Sequence, residues 1–137
     1  MNKETTKVRL VFDASARYQN VCLNDSLEPG PKLQNSLFDV LMRFREDRVA
    51  LVCDIQEMYL RVGVIPPDRR FHRFLWRKAP EEKPKEYEFT RLVFGVSSSP
   101  FLAQMVSQHN AKLYKGDYPR ASETVLKSTY EGCPLSM

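Results

Sequence analysis

A short apolar run, "VALVCDI" at residues 49–55, is the feature that most constrains what this chain can fold into. The run shows no alternation of polar and apolar residues, and at seven residues it is short for a helix. Such a run is typical of a strand that is buried on both faces. We therefore predict a strand at 49–55 that places Asp54 in a cleft at its carboxyl end, where such sheets bind ligands. An acid at a strand end can equally cap a turn, and Asp54 alone does not separate the two interpretations.

The segment before this run contains signals for a strand, a turn and a helix. Residues 8–12 are β-branched and apolar, which predicts a strand. The prolines and glycine of residues 24–31 favour a turn. "SLFD" at 36–39 has the form of a capping box and precedes apolar residues at helical spacing. We expect this helix to end at 46–48.

The segment after the run begins with "VIPPDRR" at 64–70, which predicts a turn or a single helical turn. Residues 71–77 and 87–94 are rich in aromatic and β-branched side chains, and a charged link joins them. This pattern predicts two strands that form a hairpin.

The last third of the chain predicts a helix and a final strand. Ser99 is the expected N-cap and Pro100 the first helical residue. The apolar stripe expected to face inward consists of Leu102, Met105, Val106, His109 and Leu113. Residues 124–130 are predicted as a strand. The order β, α, β, ββ, α, β indicates an α+β fold, with residues 1–137 forming one domain.

Composition and charge point to an intracellular protein. The 137 residues carry a formal net charge of +4, which suits a polyanionic partner without requiring one. Cys22, Cys53 and Cys133 are odd in number and far apart, which favours a reducing compartment over a disulfide framework. The sequence shows neither a signal-peptide core nor a stretch long enough to cross a membrane. We expect a cytoplasmic or nuclear location and no membrane partner.

Two motifs in order give the chain a resemblance to a known family. "D-I-x-x-M-Y" (54–59) and "F-G-x-x-S-S-P-x-x-x-Q" (94–104) resemble the palm of reverse transcriptases. "KVRLVFDASARYQNVCLND" (7–25) and "PGPKLQNSLFDVLMRFR" (29–45) look specifically like the BEL/Pao class of long-terminal-repeat retrotransposons. The resemblance covers about residues 7–130. It implies a partial fingers-palm domain of the DNA/RNA polymerase fold, with a ferredoxin-like palm and no thumb.

The resemblance implies roles for residues of the first palm motif. Asp54 would be a catalytic carboxylate that binds Mg²⁺, and the backbone carbonyl of Ile55 would bind the same ion. The implied reaction is RNA-directed DNA synthesis by two-metal nucleotidyl transfer. Tyr59 would be the steric gate that excludes a ribose 2′-hydroxyl and so favours deoxynucleotides. Glu57 is placed either beside the nucleotide or on a solvated turn.

Other residues would bind the nucleotide or the template. Lys7 and Arg9 match fingers residues that contact the incoming triphosphate, as cations suit polyphosphate. Phe94, Gly95 and Gln104 match the motif that lines the nucleotide pocket, although relatives have glutamine at the position of Phe94. The implied partners are an RNA or DNA template-primer, deoxynucleoside triphosphates and other domains of a retroelement polyprotein.

A basic and aromatic stretch at 69–78 is a further candidate for nucleic-acid binding. Its candidate residues combine cations for phosphate contacts with a ring for base stacking, and they are Arg69, Arg70, Arg73, Trp76, Arg77 and Lys78. A hairpin with one solvated face and one core face explains the same pattern. The sequence leaves both interpretations open.

The chain departs from the family after Tyr130. A reverse transcriptase has one apolar residue and two aspartates at this point, whereas this chain continues Glu131-Gly132-Cys133-Pro134. Since side chains alternate across a strand, Glu131 would face away from Asp54. We therefore expect an inactive, truncated homologue with an aberrant tail at 131–137, produced by a frameshift, mis-splicing or decay. A non-catalytic nucleic-acid-binding remnant and an unstable pseudogene product are the alternatives.

Overall fold

The computed structural model describes residues 11–130. Five helices and two strands are assigned in this range, together with a short 3-10 turn at Asn24–Ser26. In chain order they are α1 (Leu37–Arg43), α2 (Met58–Arg61), α3 (Pro66–Arg69), β1 (Arg73–Trp76), β2 (Lys85–Glu88), α4 (Ser99–Leu113) and α5 (Pro119–Ser128). The mixture of helices with a two-stranded antiparallel sheet confirms the α+β class.

The described chain divides into two compact units, each built from two separate segments. The first unit contains residues 11–28 and 59–99, and the second contains residues 29–58 and 100–130. The prediction of one domain over residues 1–137 stays a prediction. Within residues 11–130, every helix is too short or too polar to cross a membrane.

The core of the first unit is a small apolar cluster. Ala14, Val93 and Val96 are buried at its centre, and the half-buried side chains around them are Phe12, Leu23, Leu27 and Phe89. Val11 forms an isolated parallel bridge with Phe94, and the Phe12 N–H donates to the Phe94 carbonyl at 2.9 Å. Residues 8–10 of the strand predicted at 8–12 lie outside the described residues, so only this bridge bears on that prediction.

The predicted hairpin is confirmed, with shorter strands. Four consecutive residues pair on each side, from Arg73 with Glu88 to Trp76 with Lys85. Residues 89–94 were predicted to continue the second strand. They form only isolated bridges, including one between Gly63 and Arg91. A one-turn helix, α3, occupies the segment predicted as a turn or helical turn at 64–70.

In the second unit, side chains from the segment before and within α1 satisfy the C-terminal end of α5. The Asn35 amide donates to the carbonyl oxygens of Leu126 at 3.2 Å and Thr129 at 3.0 Å. The Arg43 guanidinium donates to the carbonyl oxygen of Lys127. The last carbonyls of a helix have no partner within it, and a cation there also complements the helix dipole. These contacts hold α5 beside α1.

The strand predicted at 49–55 is wrong. These residues have no regular secondary structure, and Leu51 and Val52 are 89% and 84% exposed. An extended segment becomes a strand only when a neighbouring strand satisfies its backbone groups, and no such ladder is assigned to 49–55 in the described chain. The apolar run satisfies the local pattern of a strand but pairs with no other segment among residues 11–130.

The strand predicted at 124–130 is also wrong, because residues 119–128 form α5. Pro119 occupies the first turn, where its missing N–H costs nothing. Glu123 and Lys127 then form an i,i+4 ion pair at 2.7 Å, in the favourable order with the acid first. The hydrogen bond from Lys127 lowers the pKa of the Glu123 carboxyl. These helix signals outweigh the β-branched residues that suggested a strand.

Helices α1 and α4 were located correctly, with small differences at their ends. Ser36 is the N-cap of α1 without a side-chain capping bond, and α1 ends at Arg43, before the predicted 46–48. Helix α4 begins at Ser99, one residue earlier than predicted. Its predicted inward stripe is wrong, since Met105, Val106, His109 and Leu113 are exposed. The buried positions of α4 include the small residues Ala103 and Ala111.

Candidate functional site

Two motifs of the proposed nucleotide pocket meet in the first unit. Tyr59 lies in the short helix α2, and its ring contacts the Phe94 ring at a centroid distance of 4.6 Å and an interplanar angle of 54°. Both side chains are half-buried. Aromatic pairs in this distance range attract each other in tilted arrangements. The fold therefore brings together Tyr59 and Phe94, two residues that were predicted from separate motifs.

Gly95 follows this pair at a point where no side chain fits. Its φ is +95°, and a Cβ at this position would overlap the carbonyl oxygen of Phe12. Only glycine adopts this backbone angle without strain. Gly95 thus allows the chain to pass directly beside the segment that contains Phe12.

Asn24 fixes the loop after Gly95 and was not predicted as a functional residue. Its amide nitrogen donates to the Gly95 carbonyl and to the Ser15 hydroxyl, each at 3.0 Å. Its amide oxygen accepts from the Ser97 N–H at 2.9 Å. Asn24 belongs to residues 11–28, the other sequence segment of this unit, and it therefore holds residues 95–97 in place through long-range contacts. The local sequence around Asn24 predicts only a turn, so no local signal identifies this role.

Asp54 and Ile55 lie in the second unit, in the exposed segment before α2. A two-metal centre needs carboxylates held close together so that the ions sit a few ångströms apart. Among residues 11–130, no group of three or more His, Cys, Asp or Glu side chains is placed to hold a metal ion. The predicted binding of Mg²⁺ by Asp54 and Ile55 stays a prediction.

Gln104 lines a small polar pocket of about 20 Å³ in the second unit. Its neighbours in the pocket come from the segment before α1 and from α4 and α5. The amide of Gln108 donates to the Leu33 carbonyl at 3.1 Å at the same place. This volume holds roughly one water molecule. The predicted contact of Gln104 with a nucleotide or template stays a prediction, as do those of Lys7 and Arg9, which lie outside the described residues.

The basic stretch at 69–78 separates into two sets of side chains. The first set consists of three arginines that contact neighbouring residues of the first unit. The Arg69 guanidinium donates to the Val64 carbonyl at 3.0 Å, and that of Arg70 lies 4.8 Å from the centroid of the Phe71 ring. Arg73 pairs with Glu86 at 2.7 Å.

The other set consists of Trp76, Arg77 and Lys78, which line one pocket at the loop end of the hairpin together with Glu82, Lys85 and Tyr87. Arg77 also donates to the Pro80 carbonyl at 2.9 Å. Lys85 was not among the predicted site residues, because the second strand was predicted to begin at Tyr87. The hairpin register, in which Lys85 pairs with Trp76, reveals its place.

His72 is a buried titratable group beside the core of the first unit. Its ring lies 6.4 Å from the Phe12 ring, and its Nδ1 has no hydrogen-bond partner within residues 11–130. Burial lowers the pKa of the His72 imidazole below its usual value of 6.5, and the nearby charge of Asp68 opposes this shift only in part. The protonated form is therefore disfavoured in the folded chain.

The stability of the chain is expected to fall when the pH drops from about 7.5 to about 5.5. Because the pKa of His72 is lower in the folded state, the unfolded state binds the proton more strongly. The stabilisation is present above pH 6.5 and is lost as the pH falls through the folded pKa. Thermal melts at the two pH values measure this loss as a decrease in Tm.

Variants of the two histidines provide the control for this measurement. His72→Phe keeps an aromatic ring and is expected to reduce the pH dependence, whereas His109→Gln, at an exposed position, is expected to retain it. An unchanged pH dependence in His72→Phe would contradict the assignment.

No protein-family model, curated protein or solved structure matches this chain.

Proposed function

We propose that this chain is a homologue of the reverse transcriptases of BEL/Pao-class long-terminal-repeat retrotransposons. In this proposal it corresponds to part of the fingers and palm of the polymerase fold, and its ancestral reaction is RNA-directed DNA synthesis. The contact between Tyr59 and Phe94 carries the proposal. These residues come from two motifs that the resemblance assigns to one nucleotide pocket, and their rings lie 4.6 Å apart.

The position of Gly95 gives the proposal further support. The family motif has glycine directly after the position of Phe94, and here that glycine has a positive φ with no room for a side chain. The close approach of Gly95 to Phe12, together with the hydrogen bond from the Phe12 N–H to the Phe94 carbonyl, fixes the position of Phe94 in the aromatic pair. The selectivity for deoxynucleotides would come from Tyr59, whose ring would occupy the space that a 2′-hydroxyl needs.

The proposal includes the absence of polymerase activity in this chain. Glu131, Gly132 and Cys133 stand where the family has an apolar residue and two aspartates. Phosphoryl transfer depends on carboxylates that hold the metal ions in position, so their replacement removes most of the catalysis. What would remain is a pocket that distinguishes nucleotides without joining them.

The proposal predicts that the chain binds dUTP more tightly than UTP, which differs from it only by the 2′-hydroxyl. We expect a preference of about tenfold to a hundredfold, which is what a pocket achieves by excluding one hydroxyl group. Equilibrium dialysis with each labelled nucleotide in Mg²⁺-containing buffer measures it. Tyr59→Ala is expected to abolish the preference, while Tyr59→Phe retains the ring and the preference.

Two controls accompany this measurement. Tyr118→Ala removes an exposed tyrosine of the second unit and is expected to leave both affinities unchanged. Primer extension on an RNA template with the same protein is expected to give no product. Equal affinity for dUTP and UTP in the unmodified chain, or measurable extension, would contradict the proposal.

A further inference from the structure

The register of the hairpin separates its side chains into two faces of different chemistry. Directly paired residues of antiparallel strands lie on the same face, and neighbours along a strand alternate. One face therefore has aromatic and basic side chains, namely Phe74, Trp76, Lys85 and Tyr87. The other face has mostly charged side chains with two acids, namely Arg73, Leu75, Glu86 and Glu88. We call the first of these the aromatic face.

The rings of the aromatic face form a row that is anchored at one end and open at the other. Phe74 stacks on Phe89 at 4.6 Å and on Tyr87 at 5.8 Å, and Phe89 contacts Phe12 at 5.9 Å. Tyr87 is 44% exposed and Trp76, at the open end, is 57% exposed. The anchored rings hold the hairpin to the core, so the exposed rings are presented on a supported surface.

The open end of the aromatic face has an excess of positive charge. A pocket of about 140 Å³ is lined there by Trp76, Arg77, Lys78, Glu82, Lys85 and Tyr87, which is three cations against one acid. Within residues 11–130, the ion pair on this hairpin joins Arg73 to Glu86 on the opposite face. The three cations of the pocket form no ion pair in the described chain. Arg77 donates one hydrogen bond to the Pro80 carbonyl at 2.9 Å, and its positive charge, like those of Lys78 and Lys85, can still attract a negatively charged ligand.

The dimensions of the pocket favour one flat group over a whole enclosed molecule. Pockets that enclose a small-molecule ligand typically measure roughly 300–1,000 Å³. A shallow pocket of about 140 Å³ with an indole as one wall suits a single base that lies against the ring. Stacking platforms flanked by cations are the usual means by which proteins bind single strands without sequence preference.

We propose that the aromatic face of the hairpin binds single-stranded nucleic acid. One base stacks on the Trp76 indole, and the neighbouring phosphates contact Arg77, Lys78 and Lys85. A paired base cannot offer its face to the indole, so a duplex is excluded from this mode of binding. The hairpin site does not depend on the proposed ancestry, since all of its contacts lie within residues 74–87 and the core beneath them.

Trp76 is the single tryptophan of the chain, so its fluorescence reports directly on this site. Titration of the full chain with a 15-nucleotide oligo(dT) or oligo(U) is expected to quench the emission to saturation. The affinity is expected to fall as salt rises, with a slope of about −0.7 for each phosphate contact. Polyglutamate and a DNA duplex of the same length serve as competitors, and neither is expected to displace the oligonucleotide at equal charge concentration.

Matched variants on the two faces of the hairpin complete the test, with binding measured by the anisotropy of a labelled oligonucleotide. Trp76→Ala is expected to lower the affinity about tenfold or more, as loss of one stacked base does, and Trp76→Phe to restore most of it. Leu75→Ala, an exposed position on the opposite face, is expected to have no effect. The double variant Lys78→Glu, Lys85→Glu keeps the tryptophan and is expected to weaken binding and flatten the salt dependence.

Several outcomes would overturn the proposal. The first is an equal loss of affinity in Trp76→Ala and Leu75→Ala. The second is a Trp76 fluorescence that is not quenched at saturating oligonucleotide. The third is displacement of the oligonucleotide by polyglutamate or duplex DNA as effectively as by another single strand. A cooperative melt of each variant verifies folding. If Trp76→Ala does not fold, the double lysine variant still decides the matter, because an unchanged affinity in that variant rules out the site.

Discussion

Gly95→Ala is expected to lower the free energy of unfolding by roughly 4 kcal/mol or more, the range in which single substitutions unfold marginal proteins. Two effects add at this position. Alanine at a φ of +95° is strained, at a cost of about 1–3 kcal/mol. Its Cβ would also overlap the Phe12 carbonyl oxygen, which belongs to the backbone and cannot rotate away. Urea denaturation followed by circular dichroism measures the loss.

Gly116→Ala is the matched control for this substitution. A Cβ at Gly116 meets no other atom within 4 Å, and its φ lies outside the left-handed region. Alanine there is expected to be neutral or to stabilise by about 0.4–1 kcal/mol, since it restricts the unfolded chain. Similar denaturation midpoints for the two variants would contradict the close approach of Gly95 to Phe12.

Asn24→Ala is expected to lower the free energy of unfolding by about 2–4 kcal/mol. The substitution removes three hydrogen bonds at once and leaves the Gly95 carbonyl and the Ser97 N–H without their partner. An unsatisfied buried group costs about 1–3 kcal/mol, and partial exposure at this site moderates the sum. The same urea denaturation detects the loss as a lower midpoint.

Two further variants separate the role of Asn24 from general effects of substitution. Asn24→Asp keeps the acceptor for the Ser97 N–H but loses the donor to the Gly95 carbonyl. We therefore expect this variant also to lower the free energy of unfolding. Asn110→Ala, at an exposed position of α4, is expected to be neutral or slightly stabilising, because alanine favours helices. Equal stability of Asn24→Ala and Asn110→Ala would show that the three bonds contribute nothing.

The sequence predicted the elements whose signals are local. Ser36 marks the start of α1, Ser99 and Pro100 mark the start of α4, and the aromatic runs on either side of a charged link mark the hairpin. Each of these signals acts within a few residues, so no knowledge of the distant chain is needed.

The failures concern elements whose structure depends on distant partners. The run at 49–55 has the composition of a strand. A strand forms only when another strand pairs with it, and the residues of the run do not show whether such a partner exists. The same limit applies to the candidate site. Tyr59 and Phe94 were both singled out from motifs, whereas Asn24 and Lys85 become visible only through long-range hydrogen bonding and strand register.

The interleaved chain path of the two units has a consequence for synthesis on the ribosome. Residues 11–28 cannot complete the first unit until Gly95 and Ser97 have been made, and the whole of 29–58 is translated in between. Likewise, 29–58 must wait for 100–130. Chains that must close such long loops gain native contacts late, because loop entropy is lost before those contacts form. The first unit is therefore expected to stay unfinished until residues 59–99 have emerged, and the second until residues 100–130 have emerged.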